Sequence, residues 1–225
     1  MSAATQQTRA KILQTAEKLF AKRGIDQSSI RLINQTAGQR NSSATQYHFG
    51  NKSGLIAALF DYRMESINER RLQMLAELET AGRTDNIRSM VEILVNPLAE
   101  QLNRNSAARY YIPVASQVIG HPRYYKIAQT RRIHGTGLKR LIQMMKIVLP
   151  ALPEELFMQR FGMALRQIFN ELSDYQRLYL ANVRAARPDM ALFISNLIDA
   201  VTAQFTTPIS QQTRQELEES RRKSA

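Results

Sequence analysis

Apolar residues return every third and fourth position along nearly the whole of this chain, the period that a helix with one buried face imposes. Residues 8–23 set the pattern with Ile12, Leu13, Ala16, Leu19 and Phe20 on one stripe, and Gly24 follows a basic last turn where a helix commonly stops. A second helix is expected from Ser28–Ser29, whose hydroxyls can cap free N–H groups, through Ile30, Ile33 and Ala37 to Gly38. A short polar turn precedes a third helix over 43–49, capped by Asn41 or Ser42. Ser53 is the expected cap of a long fourth helix through Leu55, Leu59, Tyr62 and Ile67 to about Leu78.

The period continues beyond it. Helices are expected over 84–103, over 109–119 with an interruption at Pro113, over 123–148, over 154–184, and from Pro188 through Leu197, Val201 and Phe205. Residues 206–225 read as a polar tail, frayed or loosely helical. With only nine Gly and seven Pro in 225 residues, few breakers cut these stretches, which favours an all-α chain over a many-turned β fold. The expected division is a head over 1–52, a helical body over 53–205 and a tail over 206–225.

The charge is uneven. The whole chain carries +12, and residues 1–52 alone hold eight cations and two anions, half of that net charge in under a quarter of the length. Such density attracts polyanions, through counterion release on nucleic acid or through anionic lipid. Cysteine is absent, which removes disulfides, thiolate metal sites and Cys nucleophiles, and suits a reducing cytoplasm. His121 and His134 stand too far apart to pair as metal ligands, so neither metal nor cofactor is expected. No nucleophile–base constellation, Gly-rich phosphate loop, secretory leader or membrane-spanning run is visible, and the chain reads as neither an enzyme nor a membrane protein.

Three short helices in a basic head, the second and third joined by a tight turn, are the layout of a helix-turn-helix, whose last helix enters the major groove of DNA. Phosphate contacts position such a helix and base-edge contacts specify sequence. Ser43 and Gln46 fall on its expected outer face: Gln can bond adenine twice, and Ser can donate or accept at either base type. Arg40, Asn41 and Ser42 lead into that helix and can reach base or phosphate. Ser29, at a helix start, can offer hydroxyl and N–H to phosphate.

Residues 12–56 resemble the N-terminal domain of the TetR family of transcriptional repressors. The resemblance rests on Ala16, Leu19-Phe20, Arg23-Gly24, Ser28-Ser29-Ile30, Ala37-Gly38, Tyr47-His48-Phe49 and Asn51-Lys52-Ser53-Gly54-Leu55. It implies that Tyr47 and His48 lie against the sugar-phosphate backbone and that Lys52 anchors the next helix to phosphate, with Phe49 in the core. Two departures stand out. The turn at Gln39-Arg40-Asn41-Ser42 looks one residue longer than the common form. Thr45 replaces an inward Val or Leu, so its hydroxyl needs a partner, such as the carbonyl four residues earlier.

For the body, the resemblance implies a ligand-binding and dimerisation domain, with a small organic effector coupled to the spacing of two heads on a double-stranded operator. Candidate lining residues are Tyr110, Tyr111, Gln117, Met144, Met145, Phe161, Phe169 and Asn170. A homodimer would pack its last two long helices as a four-helix bundle through Phe161, Leu165, Ile168, Leu172, Leu197 and Val201. Two other readings remain: a DNA-architectural protein without sequence preference, and a small-molecule-binding or enzymatic helical protein whose basic head is incidental.

Overall fold

The structure is a computed structural model and describes residues 3–39, 44–102, 107–127, 130, 135–181 and 189–224. Its described residues contain helices and turns and no strand. The head comprises α1 (Ala3–Arg23), α2 (Ile30–Thr36) and α3 (Ala44–Phe49). The body comprises α4 (Lys52–Thr80), α5 (Ile87–Ala99), α6 (Tyr111–Gly120), α7 (Thr136–Val148), α8 (Glu154–Leu180) and α9 (Met190–Thr206). A last helix, α10 (Gln211–Ser224), follows.

The apolar stripes close into one contiguous core. Ile12, Leu13, Ala16 and Phe20 of α1 meet Ile33 of α2 and Leu55 and Leu59 of α4, all buried. In the body α6 lies along α8, α9 packs on α5 and α8, and α7 packs on α4 and α5. α4 begins beside α1 in the head and continues as a wall of the body.

Boundaries differ from expectation where local chemistry intervenes. α1 starts at Ala3 rather than residue 8. Asn51, not Ser53, caps α4: its side-chain oxygen accepts from the Gly54 N–H at 2.9 Å. Gly54 is needed there, because a Cβ would stand 2.0 Å from the Phe49 carbonyl oxygen. α5 starts later than expected, behind an Asn86 cap, and tightens into a 3-10 turn over Glu100–Leu102. Pro113 does not interrupt α6. It is the third residue of the helix, where its missing N–H has no helical partner to lose.

Residues 123–148 are not one helix. Gly135 is extended (φ −67°, ψ 126°) and α7 starts after it. The side-chain oxygen of Asn68 accepts from the Gly137 N–H at 2.8 Å, and a Cβ at Gly135 would stand 2.8 Å from that same oxygen. The tail is a 14-residue helix rather than a frayed end, and Arg221 grips Glu155 of α8 through Nε and Nη2 at 2.8 and 2.9 Å. The expected start at Pro188 and end at 184 lie outside the described residues; the visible cap of α9 is Asp189.

Candidate nucleic-acid interface

A buried carboxamide ties the two helices of the helix-turn-helix together. Asn34, on the inner face of α2 and 2% exposed, accepts two hydrogen bonds through its side-chain oxygen. One comes from the Thr45 N–H at 3.2 Å and one from the Thr45 hydroxyl at 2.5 Å. The partner of that buried hydroxyl is therefore across the turn, not the carbonyl four residues back. The same bonds satisfy an N–H in the first turn of α3 that has no intrahelical acceptor. They fix how α3 leans on α2.

With Ala44 and Thr45 turned inward, α3 presents Gln46 and Tyr47 to solvent, Tyr47 at 83% exposure. His48 is half-buried and meets the Tyr47 ring edge-on at 5.1 Å. Phe49 packs against the core, with the Arg9 guanidinium 5.3 Å from its ring centre. Ser29 is exposed and caps α2 by accepting from the Leu32 N–H at 3.1 Å. Lys52 is half-buried, its Nζ 5.9 Å from the Phe20 ring centre, and burial draws its ammonium below the usual lysine range against the pull of Asp26. Lys11, Lys18, Lys22, Arg23 and Arg31 are all exposed on the head. Arg40, Asn41, Ser42 and Ser43 lie outside the described residues.

The head is fastened to the body by α6. The side-chain oxygen of Gln117 accepts from the Ile25 N–H at 3.1 Å, and its amide donates to the carbonyls of Phe20 (3.1 Å) and Pro113 (3.2 Å). Gly24, at φ 88°, turns the chain between those two head groups, a backbone state that favours glycine. One turn further along, His121 Nε2 lies 3.2 Å from Asp26, and that contact holds the Asp26 carboxyl below the usual range. A second joint is buried. Arg63 of α4 pairs with Glu17 of α1, Nε and Nη2 at 2.9 and 2.8 Å from one oxygen, with Glu17 1% exposed. Burial raises the Glu17 carboxyl to about 7, against the opposing pull of Arg63.

Comparison with known proteins bears on this head first. The sequence pattern of bacterial regulatory proteins of the tetR family matches residues 12–59. The head thus carries the tetR-family pattern. It is 32% identical over 95 residues to the HTH-type transcriptional regulator TtgR of Pseudomonas putida, a match covering 42% of this chain and 43% of that one. The figures are the same for ArpR of Pseudomonas putida, also named as an HTH-type transcriptional regulator. The match thus spans under half the length of either relative. A crystal structure of a TetR-family transcriptional regulator from Rhodococcus sp. superposes at a TM-score of 0.52 with 16% identity, over 89% of this chain and all of that one. The likeness of fold therefore extends beyond the head into the body.

The body candidates lie at and along α6, on α7 and on α8. Tyr110 and Tyr111 are buried at the start of α6, with Tyr111 edge-on to Phe60 at 5.7 Å. Gln117 serves the head joint described above. Asn170 is exposed and accepts from the Ser116 hydroxyl at 2.7 Å. Met145 and Phe169 are buried, Met144 is half-buried, and Phe161 stacks with Phe157 at 6.0 Å. None of the eight lines the cleft of about 400 Å³ bounded by residues 148–152, Arg160, 205–209 and Arg214.

Phe161, Leu165, Ile168, Leu172, Leu197 and Val201 are at most 4% exposed within one chain. The stripe that periodicity picks out is covered within the one chain. The outward faces of α8 and α9 instead carry Met163 (55% exposed), Leu192 (67% exposed), Ala200 and Ala203.

Proposed function

We propose that this protein is a sequence-specific DNA-binding transcriptional regulator, a ligand-responsive repressor acting as a homodimer on a pseudo-palindromic operator. The observation that carries the reading is the Asn34–Thr45 clasp, which sets α3 rigidly on α2 with Gln46 and Tyr47 facing out of a basic head. Gln46 is the base-edge reader and Tyr47 a neutral donor to phosphate, with Ser29, His48 and Lys52 positioning the head on the backbone. The reading also assigns base or phosphate contacts to Arg40, Asn41, Ser42 and Ser43, which lie outside the described residues. Two heads would read half-sites about one helical turn apart. The dimer would use the outward faces of α8 and α9. An effector would bind in the body among Tyr110, Tyr111 and their neighbours, and the Gln117 joint would carry its effect to the head. Among the described residues no helix is long and apolar enough to cross a membrane.

The test is binding of the purified protein to its own upstream intergenic DNA against a scrambled duplex over a salt series. The expected preference is at least about 10³-fold, with log K falling, for each tenfold rise in salt, by about 0.9 per phosphate neutralised. Equal binding to both duplexes overturns the reading in favour of an architectural protein. A monomer at micromolar concentration that binds single half-sites equally well removes the dimer. Tyr47→Ala is expected to weaken operator binding by about tenfold, the worth of one charge-assisted bond, and to leave thermal stability unchanged because the ring touches little.

A further inference from the structure

Met64, Ile67, Arg71, Leu75 and Leu78 follow one another at spacings of three and four along the buried face of α4. Four of these positions hold what a core stripe requires, and the fifth holds a guanidinium. Arg71 is 2% exposed, and its Nε and Nη1 groups have no hydrogen-bond partner. Those two nitrogens carry three of the five N–H bonds of the side chain. Burial draws its pKa down to about 10, which still leaves the group charged at neutral pH.

A buried charge without a counterion is among the most unfavourable things a fold can contain. The counterion is not supplied by this chain. All 19 Asp and Glu residues lie within the described segments, and the titratable group acting on Arg71 is the Tyr111 phenol. Tyr111 lies on α6 and donates to the Met64 sulfur at 3.4 Å. The orphaned donors thus sit beside an aromatic ring, a thioether and the aliphatic stripe of α4.

We propose that Arg71 is the anion-binding residue of the effector site, and that the effector this regulator answers to is a monocarboxylate with an apolar body. This rests on the ligand-responsive reading above and gives it a chemistry. A planar carboxylate accepts from two guanidinium N–H groups at once. Its apolar remainder suits Tyr111, Met64 and their neighbours. A dianionic phosphate would bring a second negative charge into the same apolar surroundings, at a further cost in desolvation. The site joins α4 to α6, and α6 is the helix whose Gln117 holds the head, so an anion drawn onto Arg71 acts on an element in contact with α1.

The test uses the full chain with octanoate, 4-phenylbutyrate and 1-naphthoate, each against its own carboxamide, read by calorimetric titration. At least one acid is expected to bind about 10–100 times more tightly than its amide, the range of a charge-assisted hydrogen bond to a buried group. Arg71→Met abolishes the preference, and Arg71→Lys keeps part of it. Without ligand, Arg71→Met raises the melting temperature by about 4 °C or more, because the uncompensated charge is gone. A merely structural arginine would lower it. Equal binding of acid and amide, failure of all three acids to bind, or a destabilised Arg71→Met protein each overturns the proposal. Release of operator DNA is followed in parallel. An amide that releases DNA leaves the effector reading standing without the anion site, whereas Arg71-dependent binding that leaves DNA bound keeps the anion site and removes the effector reading.

Discussion

Replacing Arg63 with methionine is expected to remove about 3–5 kcal/mol of stability at pH 8, and to lower the melting temperature of the chain by about 10 °C. The loss does not come from a missing attraction alone. Glu17 is 1% exposed, and Arg63 is the cation that neutralises it. Without that partner the carboxylate must stay charged in an apolar wall or take up a proton to remain there. Lowering the pH supplies the proton, so the loss at pH 5 is expected to shrink to about 1–2 kcal/mol. The wild-type chain has its own pH dependence. Folded Glu17 titrates near 7 where an unconstrained side chain titrates near 4.5, so between those values the folded state holds a proton that the unfolded state releases. Its contribution is therefore fully present below about pH 4.5 and is lost as pH rises through 7, on the order of 3 kcal/mol in all. Glu17→Gln should flatten that slope, and calorimetric melting from about pH 4.5 to 8 measures it. A Glu17→Leu, Arg63→Met double variant, apolar on both sides, should recover most of the loss. If Arg63→Met melts like the wild type at pH 8, the pair does not hold α1 to α4.

Asn34→Ala is expected to bring operator binding down to within about tenfold of binding to a scrambled duplex. The variant strands the Thr45 N–H and hydroxyl in a buried site, at about 1–3 kcal/mol each. The head is small, and the clasp is what sets the tilt of α3, so the head should loosen while the body helices survive. Far-UV circular dichroism should change little, while hydrogen exchange in residues 30–49 should accelerate. Retained operator specificity in this variant would mean that packing of Ile33 and Phe49 alone fixes α3.

Much of this was legible in the sequence because a helix writes its burial into its spacing. The stripes on α1, α4, α5 and α8 and the stop at Gly24 needed no structure. The harder parts share one cause: periodicity tells that a face is covered and not by what. The Phe161, Leu165, Ile168 and Leu172 stripe reads the same whether a partner subunit or α6 covers it. Thr45 announced a buried hydroxyl, but its acceptor lies eleven residues earlier on another helix. Gly135 and Gly137 were the visible sign that residues 123–148 are broken, and the reason, Asn68, is far away in sequence. Arg71 was equally visible, four residues from Ile67 and four from Leu75, and only its missing counterion makes it meaningful.

The Gln117 joint bears on how such regulators can be recombined. Every group it grips is main chain: the carbonyls of Phe20 and Pro113 and the N–H of Ile25. It therefore reads the shape of the bend after α1 and is indifferent to the side chains there. A foreign head with the same glycine bend could be spliced onto this body and still be held at that point. Asp26 and Glu17 are different, because each meets a specific side chain of the body. A working chimera would need a carboxylate retained at those two positions and the buried apolar face of α1 kept, while the outward, DNA-reading face of the head would be free to change.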